Sequence, residues 1–464
     1  MASNQSDFSR GSVKKNILRL AVPLTIAQLI HLLYNIIDRM FIGHLAENST
    51  QALSGLGLTF PITMIIAAFT NLFSTGGAPL FSMARGEGDN KKASEIMGTC
   101  FTLMVATAAV LMVLCYVFKK PVLYLFGASD AIFPYADSYL SIYLIGTPMV
   151  MISLGMNTFI NAQGFGRLGM MTVAIGCVLN IALDPLFIFV FDMGVAGAAW
   201  ATVISQTVSA LWVLYTIISP KMVLPLRKNN LGVKTVHLKK MIPLGLSGFV
   251  MQITNSLVSI MCNSTLQLYG GDLYVGVMTV INSVREVLSM PVSGVTSASQ
   301  PVISFNYGAG QYSRVKEGIR FMSMIGIVYT TVMWIVVLLW PQIFIRIFNN
   351  DPEMLEACSH AMFLYFFGFC FMSLQSVGQS SHTALGKAKT AIFFSIFRKV
   401  IIVVPLTLWL PTMWGLGVDG VFIAEPISNL IGGLACFITM YLTVWRKLPK
   451  EDKPLRQEDS YEVS

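Results

Sequence analysis

Two aspartates stand inside long apolar stretches of this 464-residue chain, each with an amide about one helical turn before it. Asn35 precedes Asp38 by three positions and Asn180 precedes Asp184 by four. At those spacings a helix puts amide and carboxyl on the same face. An ionisable group near the centre of a bilayer costs a few kcal/mol even on the gentler insertion scales, so each one needs a reason. Buried carboxyls with polar neighbours are able to bind a proton near neutral pH, and the same oxygens suit sodium. Thr202, in a later apolar stretch, adds a hydroxyl. Together these residues suggest a cation site. Structural readings stand beside it: Asp38 in an ion pair with Arg39 or at a water-exposed helix end, Asp184 as a cap before a kink at Pro185, and Asn180 and Thr202 as interhelical packing polars.

The second half carries charges of its own: Arg285 and Glu286, Arg398 and Lys399, and Glu425 before Pro426. Depth counting places Glu286 near the midplane and level with Arg398. A structural Glu286–Arg398 pair and a substrate-binding role are equally open. Met156 in SLGMNTF and Met290 are candidates for lining an adaptable cavity, since thioethers fit many shapes; packing or lipid contact is the plainer alternative. His31, His360 and His382 rank below the carboxylates as proton carriers. Seven cysteines without C-x-x-C spacing indicate neither a disulfide framework nor a zinc site. No metal is expected unless sodium binds at Asp38 and Asp184.

The elements that must position these residues follow from composition. At 55% hydrophobic and 12% charged, with mean hydropathy +0.67, the chain has half the charge of soluble proteins, which carry roughly 25%. That excludes a soluble enzyme, a nucleic-acid module and a disordered scaffold. The net charge of +8 comes from short basic runs between apolar segments, so nucleic acid is not the expected partner. About 20 apolar residues span a bilayer as a helix, and twelve such stretches occur, from 18–42 (span 1) to 420–444 (span 12), including 168–190 (span 5), 196–217 (span 6), 275–298 (span 8) and 391–411 (span 11). Continuous apolarity of this length means helices, because lipid-exposed strands alternate in polarity and must close into a barrel. The first stretch is too long for a signal-peptide core and lacks a small-residue cleavage site. Taking the N-terminus and every second loop as one side, 24 of the 31 Lys and Arg lie there, three (Lys119, Lys120, Arg346) lie opposite, and four (Arg39, Arg285, Arg398, Lys399) fall within spans. Both termini are therefore expected in the cytoplasm. At about 1.5 Å per residue, Asp38, Asp184 and Thr202 come to a similar depth in the outer part of the membrane.

The longest basic loop splits the spans six and six, and the halves resemble each other. Pro79, Ser82, Gly86 and Gly88 recur as Pro301, Ser304, Gly308 and Gly310 at a spacing of 222, as do Phe126, Tyr143, Gly146, Ala162 and Gly164 as Phe348, Tyr365, Gly368, Ala384 and Gly386. MGVAG at 193–197 returns as LGVDG at 416–420, and Ile204-Ser205 as Ile427-Ser428, at 223. Six spans per copy is an even number, so the copies share one orientation. The expected fold is an all-α integral membrane protein of twelve transmembrane helices in two six-helix bundles related by a parallel repeat. Its expected divisions are a cytoplasmic N-terminus (1–17), an N-terminal bundle (18–218), a basic linker (219–240), a C-terminal bundle (241–445) and a polar cytoplasmic tail (446–464). Parallel repeats are a transporter feature, with substrate handled where the bundles face each other. Glu425 falls one place from the repeat of Thr202 at the 222 spacing, which weakens its functional reading.

The residues also carry a family resemblance. LAVPLTIAQLIHLLYNIIDRMFIGHL in span 1, SMARGEGD after span 2 with its second-half copy, INAQGFGR after span 4, NIALDP in span 5 and FRKVIIVVPL in span 11 resemble the multidrug and toxic compound extrusion (MATE) transporters, closest to the bacterial multidrug export branch. The resemblance covers roughly residues 14–445. It implies a secondary active exporter of diverse, often cationic organic compounds, driven by inward proton or sodium flow, without cofactor, in the bacterial cytoplasmic membrane, and it assigns Asp38, Asn180, Asp184 and Thr202 to the coupling cation. Pro23 in span 1 is the expected hinge, since proline frees a backbone carbonyl. The chain is expected to work as a monomer, surrounded by lipid. Two rivals remain. A flippase for lipid-linked saccharides should show more spans or a basic cavity, whereas here four intramembrane bases stand against at least four acids. A membrane-embedded enzyme should show a clustered catalytic set, which the sequence lacks.

Overall fold

The computed structural model describes residues 6–43, 49–126, 128–347, 352–413 and 415–454. Apolar runs without charge interruption have one way to satisfy their backbone in lipid, and the described residues follow it: they form helices and no strand. The long helices of the first half are α1 (Val13–Gly43), α2 (Ser49–Gly86), α3 (Asn90–Leu125), α4 (Phe133–Ala162), α5 (Gly166–Pro185) and α6 (Gly194–Ile218). The second half comprises α7 (Thr235–Gly308), α8 (Tyr312–Leu339), the short α9 (Pro341–Ile345), α10 (Pro352–Phe366), α11 (Met372–Ala384), α12 (Ala388–Ile396), α13 (Val404–Trp409) and α14 (Val418–Thr443).

Ten helical stretches are long and apolar enough to cross a membrane. The 74-residue α7 is counted once among these ten but is two helices in one, because Gly271 breaks it at φ 65°, ψ −162°, a conformation closed to residues with a Cβ. The pair α10 and α11, bent by 44°, makes one further span. With α7 taken as two, the described residues hold twelve helical stretches of spanning length, the number that hydropathy predicts. Side chains such as Val110, Val113 and Val117 on α3 are more than half exposed, as lipid-facing positions are.

Two helices change pitch where the sequence forces or permits it. Pro185 lacks the N–H that would continue α5, and a π turn (Leu186–Val190) follows it at once. A second π segment, Phe397–Val403, joins α12 to α13 and carries Arg398 and Lys399.

The chain divides into two compact units. Unit 1 holds 1–6, 22–78 and 94–252; unit 2 holds 7–21, 79–93 and 253–464. In unit 1, Ile42, Tyr139, Ile188, Val195 and Ala198 form a buried apolar cluster. In unit 2 the larger cluster is built on Leu266, Ile281, Met362, Phe366 and Phe422.

Two glycines of the repeat motif have a direct use within unit 2. A Cβ on Gly86 would strike the carbonyl of Phe305, and one on Gly308 would strike the carbonyl of Met83. Met83 and Phe305 are themselves 222 positions apart, so the ends of α2 and α7 cross at a point where each glycine admits the other helix's equivalent residue. Both terminal segments are pinned just beyond this crossing, one to the first turn of α8 and the other to the loop before it. Arg314 donates to the carbonyls of Gly11 (2.9 Å) and Phe8 (3.0 Å), and the Lys453 N–H donates to the carbonyl of Gly310 (3.1 Å).

Candidate functional site

In unit 1, α1, α4, α5 and α6 bring together the polar side chains that the hydropathy scan picked out. Asp184 sits on the last turn of α5 and is fully buried; Asn180, one turn earlier on the same face, is 2% exposed. Asp38 on α1 is 8% exposed. The carboxyls of Asp38 and Asp184 lie against each other, and Asn180 approaches Asp184. Neither oxygen of Asp184 has a conventional donor among the described residues. Two carboxyls in contact make a hydrogen bond only when one of them carries a proton.

Around this pair lies a ring of hydroxyls. Asn180 Nδ2 donates to Thr202 Oγ1 at 3.4 Å, and the hydroxyls of Tyr34 and Tyr139 also point at Thr202. Tyr139 stacks on Tyr143 with ring centroids 6.0 Å apart. A cavity of about 20 Å³ opens beside them, bounded by Tyr34, Cys177, Asn180, Thr202, Ser205 and Gln206. That is room for about one water molecule. His31 lines the same cavity, its ring edge on Tyr34 at 5.7 Å between centroids.

The side chains of Asn35 and Arg39 lie outside the described residues, so neither the Asn35 member of the expected set nor an Asp38–Arg39 pair has a described geometry. Pro23, the expected hinge, is inside α1 and one residue beyond the point where that helix passes from unit 2 to unit 1.

Unit 2 holds a second polar cluster of opposite sign. Glu425 on α14 accepts from Arg398 Nη2 at 2.6 Å and from Lys399 Nζ at 3.2 Å, with Arg285 Nη1 at 3.9 Å. Glu425, Arg398 and Lys399 are 6%, 7% and 8% exposed. The Glu286–Arg398 pair, one of the two readings left open, does not form: Arg398 is paired to Glu425, and Glu286 is exposed. The reason is rotational, because consecutive helical residues point about 100° apart and α7 turns Arg285 to the cluster. Arg285 and Lys399 belong to this site and were not singled out by spacing. The signal that could have found them was their place among the four bases within spans.

Met156 is fully buried in α4 and Met290 is 7% exposed in α7; both are packed side chains. His382 is fully buried, stacked on Phe394 at 6.3 Å with rings 10° from parallel. His360 pairs with Asp419 at 3.1 Å.

Comparison with known proteins gives a consistent picture. The MatE family profile matches residues 23–186 and 248–409. The multidrug export protein MepA of Staphylococcus saprophyticus is 24% identical over 442 residues, covering 94% of this chain and 95% of that protein. An FAD transporter of Shewanella oneidensis is 24% identical over 425 residues, covering 91% and 93%. Among solved structures, the outward-facing conformation of a multidrug resistance MATE family transporter superposes with a TM-score of 0.89 at 21% identity, covering 95% of this chain and 98% of that one.

Proposed function

Because the chain belongs to the MatE family, we propose that it is a secondary active exporter of small organic, often cationic compounds, coupled to inward flow of protons or sodium. The relatives named above are an export protein and a transporter, which favours carriage over catalysis. The observation that carries the coupling reading is the Asp38–Asp184 pair: two carboxyls in contact, one of them fully buried with no conventional donor among the described residues.

Such a pair has states that differ sharply in energy. With both groups ionised, two like charges share a desolvated site; a proton shared between them, or a sodium ion ligated by both, removes the repulsion. Asn180 and Thr202 supply a donor and a hydroxyl that hold the pair in register. Loading the site from outside then neutralises the inner face of α1, and the helix bends at Pro23, where its hydrogen bonding is already interrupted. Rocking of one bundle against the other converts that local change into alternating access. In this reading the protein lies in the bacterial cytoplasmic membrane with both termini inside, following the basic-residue asymmetry, and two terminal segments pinned just beyond one helix crossing accord with a shared side.

The test is efflux of a fluorescent organic cation from proteoliposomes under a separately imposed proton or sodium gradient. Wild-type protein should respond to one gradient, and Asp38→Asn should abolish the response while inserting and folding normally. Undiminished gradient-driven efflux by Asp38→Asn would overturn the coupling role.

A further inference from the structure

The buried charges of unit 2 do not balance. Two buried bases, Arg398 and Lys399, and the partly exposed Arg285 surround one buried acid, Glu425. Among the polar neighbours, Cys262 and Tyr365 are uncharged groups, and the exposed Glu286 acts on Arg285. Desolvating an ion costs several kcal/mol after relaxation, and a pair repays that only when charges match and donors are used. Here two buried bases share the one Glu425 carboxylate, and donor capacity is left over. The Nε of Arg398 is buried and has no partner among the described residues, although a guanidinium offers five N–H groups in a fork suited to an oxyanion. Arg285 has the outermost position, its side chain 35% exposed against 9% for Arg398 and 10% for Lys399. A ligand reaching the cluster by way of Arg285 would meet the unpaired Nε–H of Arg398.

The sequence repeat gives this placement a counterpart. Carried forward from Gly164 and Gly386 at 222, Gly176 and Cys177 correspond to Arg398 and Lys399. Carried back from Ile204 and Ile427 at 223, Thr202 corresponds to Glu425. Gly176, Cys177 and Thr202 line the small cavity of unit 1. The same position is therefore an uncharged hollow in one half and a charged cluster in the other.

We propose that Arg285, Arg398 and Lys399 form a binding site for an oxyanion, a carboxylate or phosphate-type group on an amphipathic organic ligand, with Glu425 holding the bases in position. The site selects for zwitterionic or anionic ligands, and unit 2 reads charge where unit 1 holds the carboxyl pair. The inference rests on the exporter reading for the ligand's role as cargo and is independent of it as a statement about binding.

The experiment is therefore equilibrium binding rather than transport. A rhodamine bearing a free carboxylate and its methyl ester, otherwise identical, are titrated onto the full-length detergent-solubilised protein and followed by fluorescence anisotropy. The free carboxylate should bind at least about tenfold more tightly than the ester, a difference of ~1.4 kcal/mol. Arg285→Gln and Lys399→Gln should each erase most of that preference and leave ester affinity within about twofold. Equal binding of the two dyes to wild type, tighter binding of the ester, or a carboxylate preference that survives both substitutions would overturn the proposal. None of those outcomes touches the Asp38 result in proteoliposomes, so the two readings fail separately.

Discussion

Glu425 is the single counter-charge among the described residues for two buried bases, and its removal gives a sharp prediction. In Glu425→Gln the shape is kept and the charge is lost. Arg398 and Lys399 then face each other desolvated, with the 2.6 Å and 3.2 Å contacts replaced by an amide that satisfies neither charge. Removing one partner of a buried pair costs about 3–5 kcal/mol, because the remaining charge stays buried without compensation. Arg285 offers an internal comparison. Its contact with Glu425 is 3.9 Å long and its side chain is 35% exposed, so Arg285→Gln falls in the range of a partly solvated pair, about 0–1 kcal/mol. The order Glu425→Gln much worse than Arg285→Gln is the structural claim. Thermal unfolding of the detergent-solubilised protein measures it, read by a thiol-reactive dye at Cys100, Cys358 and Cys436, which are buried until the helices separate. A triple replacement, Arg398→Met with Lys399→Met and Glu425→Met, should recover most of the loss, since apolar side chains of similar volume often replace a buried charge set without penalty. Unfolding of Glu425→Gln at the wild-type temperature would refute the reasoning and mean that the bases do not depend on Glu425.

Two other expectations follow from the same geometry. Asp38→Asn and Asp184→Asn should each flatten the pH dependence of efflux, and the double variant should be no worse than either, because a carboxyl pair in contact titrates as one site; strictly additive pH shifts in a double-mutant cycle would mean separate sites. Gly86→Ala and Gly308→Ala should each destabilise by about 1–3 kcal/mol, since each Cβ meets a carbonyl of the crossing helix. In thermal unfolding their combined cost should be less than additive, the first methyl having already spread the crossing that the second would enter.

The residues of the proposed coupling site were legible because membrane sequences make polar residues conspicuous. Asp38, Asn180, Asp184 and Thr202 stand out in apolar runs, and counting residues from the membrane face gave each a depth; the structure gathers these four in unit 1. Depth is one coordinate of two. The other is rotation about the helix axis, which no run of apolar residues fixes when the helix is apolar on all sides. That is why Glu286 looked like the partner of Arg398: the depth matched, and the 100° that separates it from Arg285 was invisible. The break at Gly271 was legible as the polar interruption LYGGDLY, whereas the π segments at Leu186–Val190 and Phe397–Val403 leave no spacing signature beyond the proline that precedes the first.

Charge counting shows a further limit of reading the chain as one body. Across all the spans the intramembrane bases and acids roughly cancel, and the sequence argument against a basic cavity leaned on that balance. Within the described residues the balance is made of two imbalances. The two buried acids of the carboxyl pair, Asp38 and Asp184, belong to unit 1, and the bases Arg285, Arg398 and Lys399 belong to unit 2 with one buried acid among them. Coulomb interactions in a low-dielectric interior are strong at contact distance and weaken with separation, so a site feels the charges packed against it rather than the sum over the chain. A site beside Asp38 and Asp184 favours a cation, and a site beside Arg398 and Lys399 favours an anion, whatever the total. On the proposed reading the two halves carry opposite selectivities, set in unit 1 by Asp38 and Asp184 and in unit 2 by Arg398 and Lys399, which stand where the sequence similarity of the halves places Gly176 and Cys177.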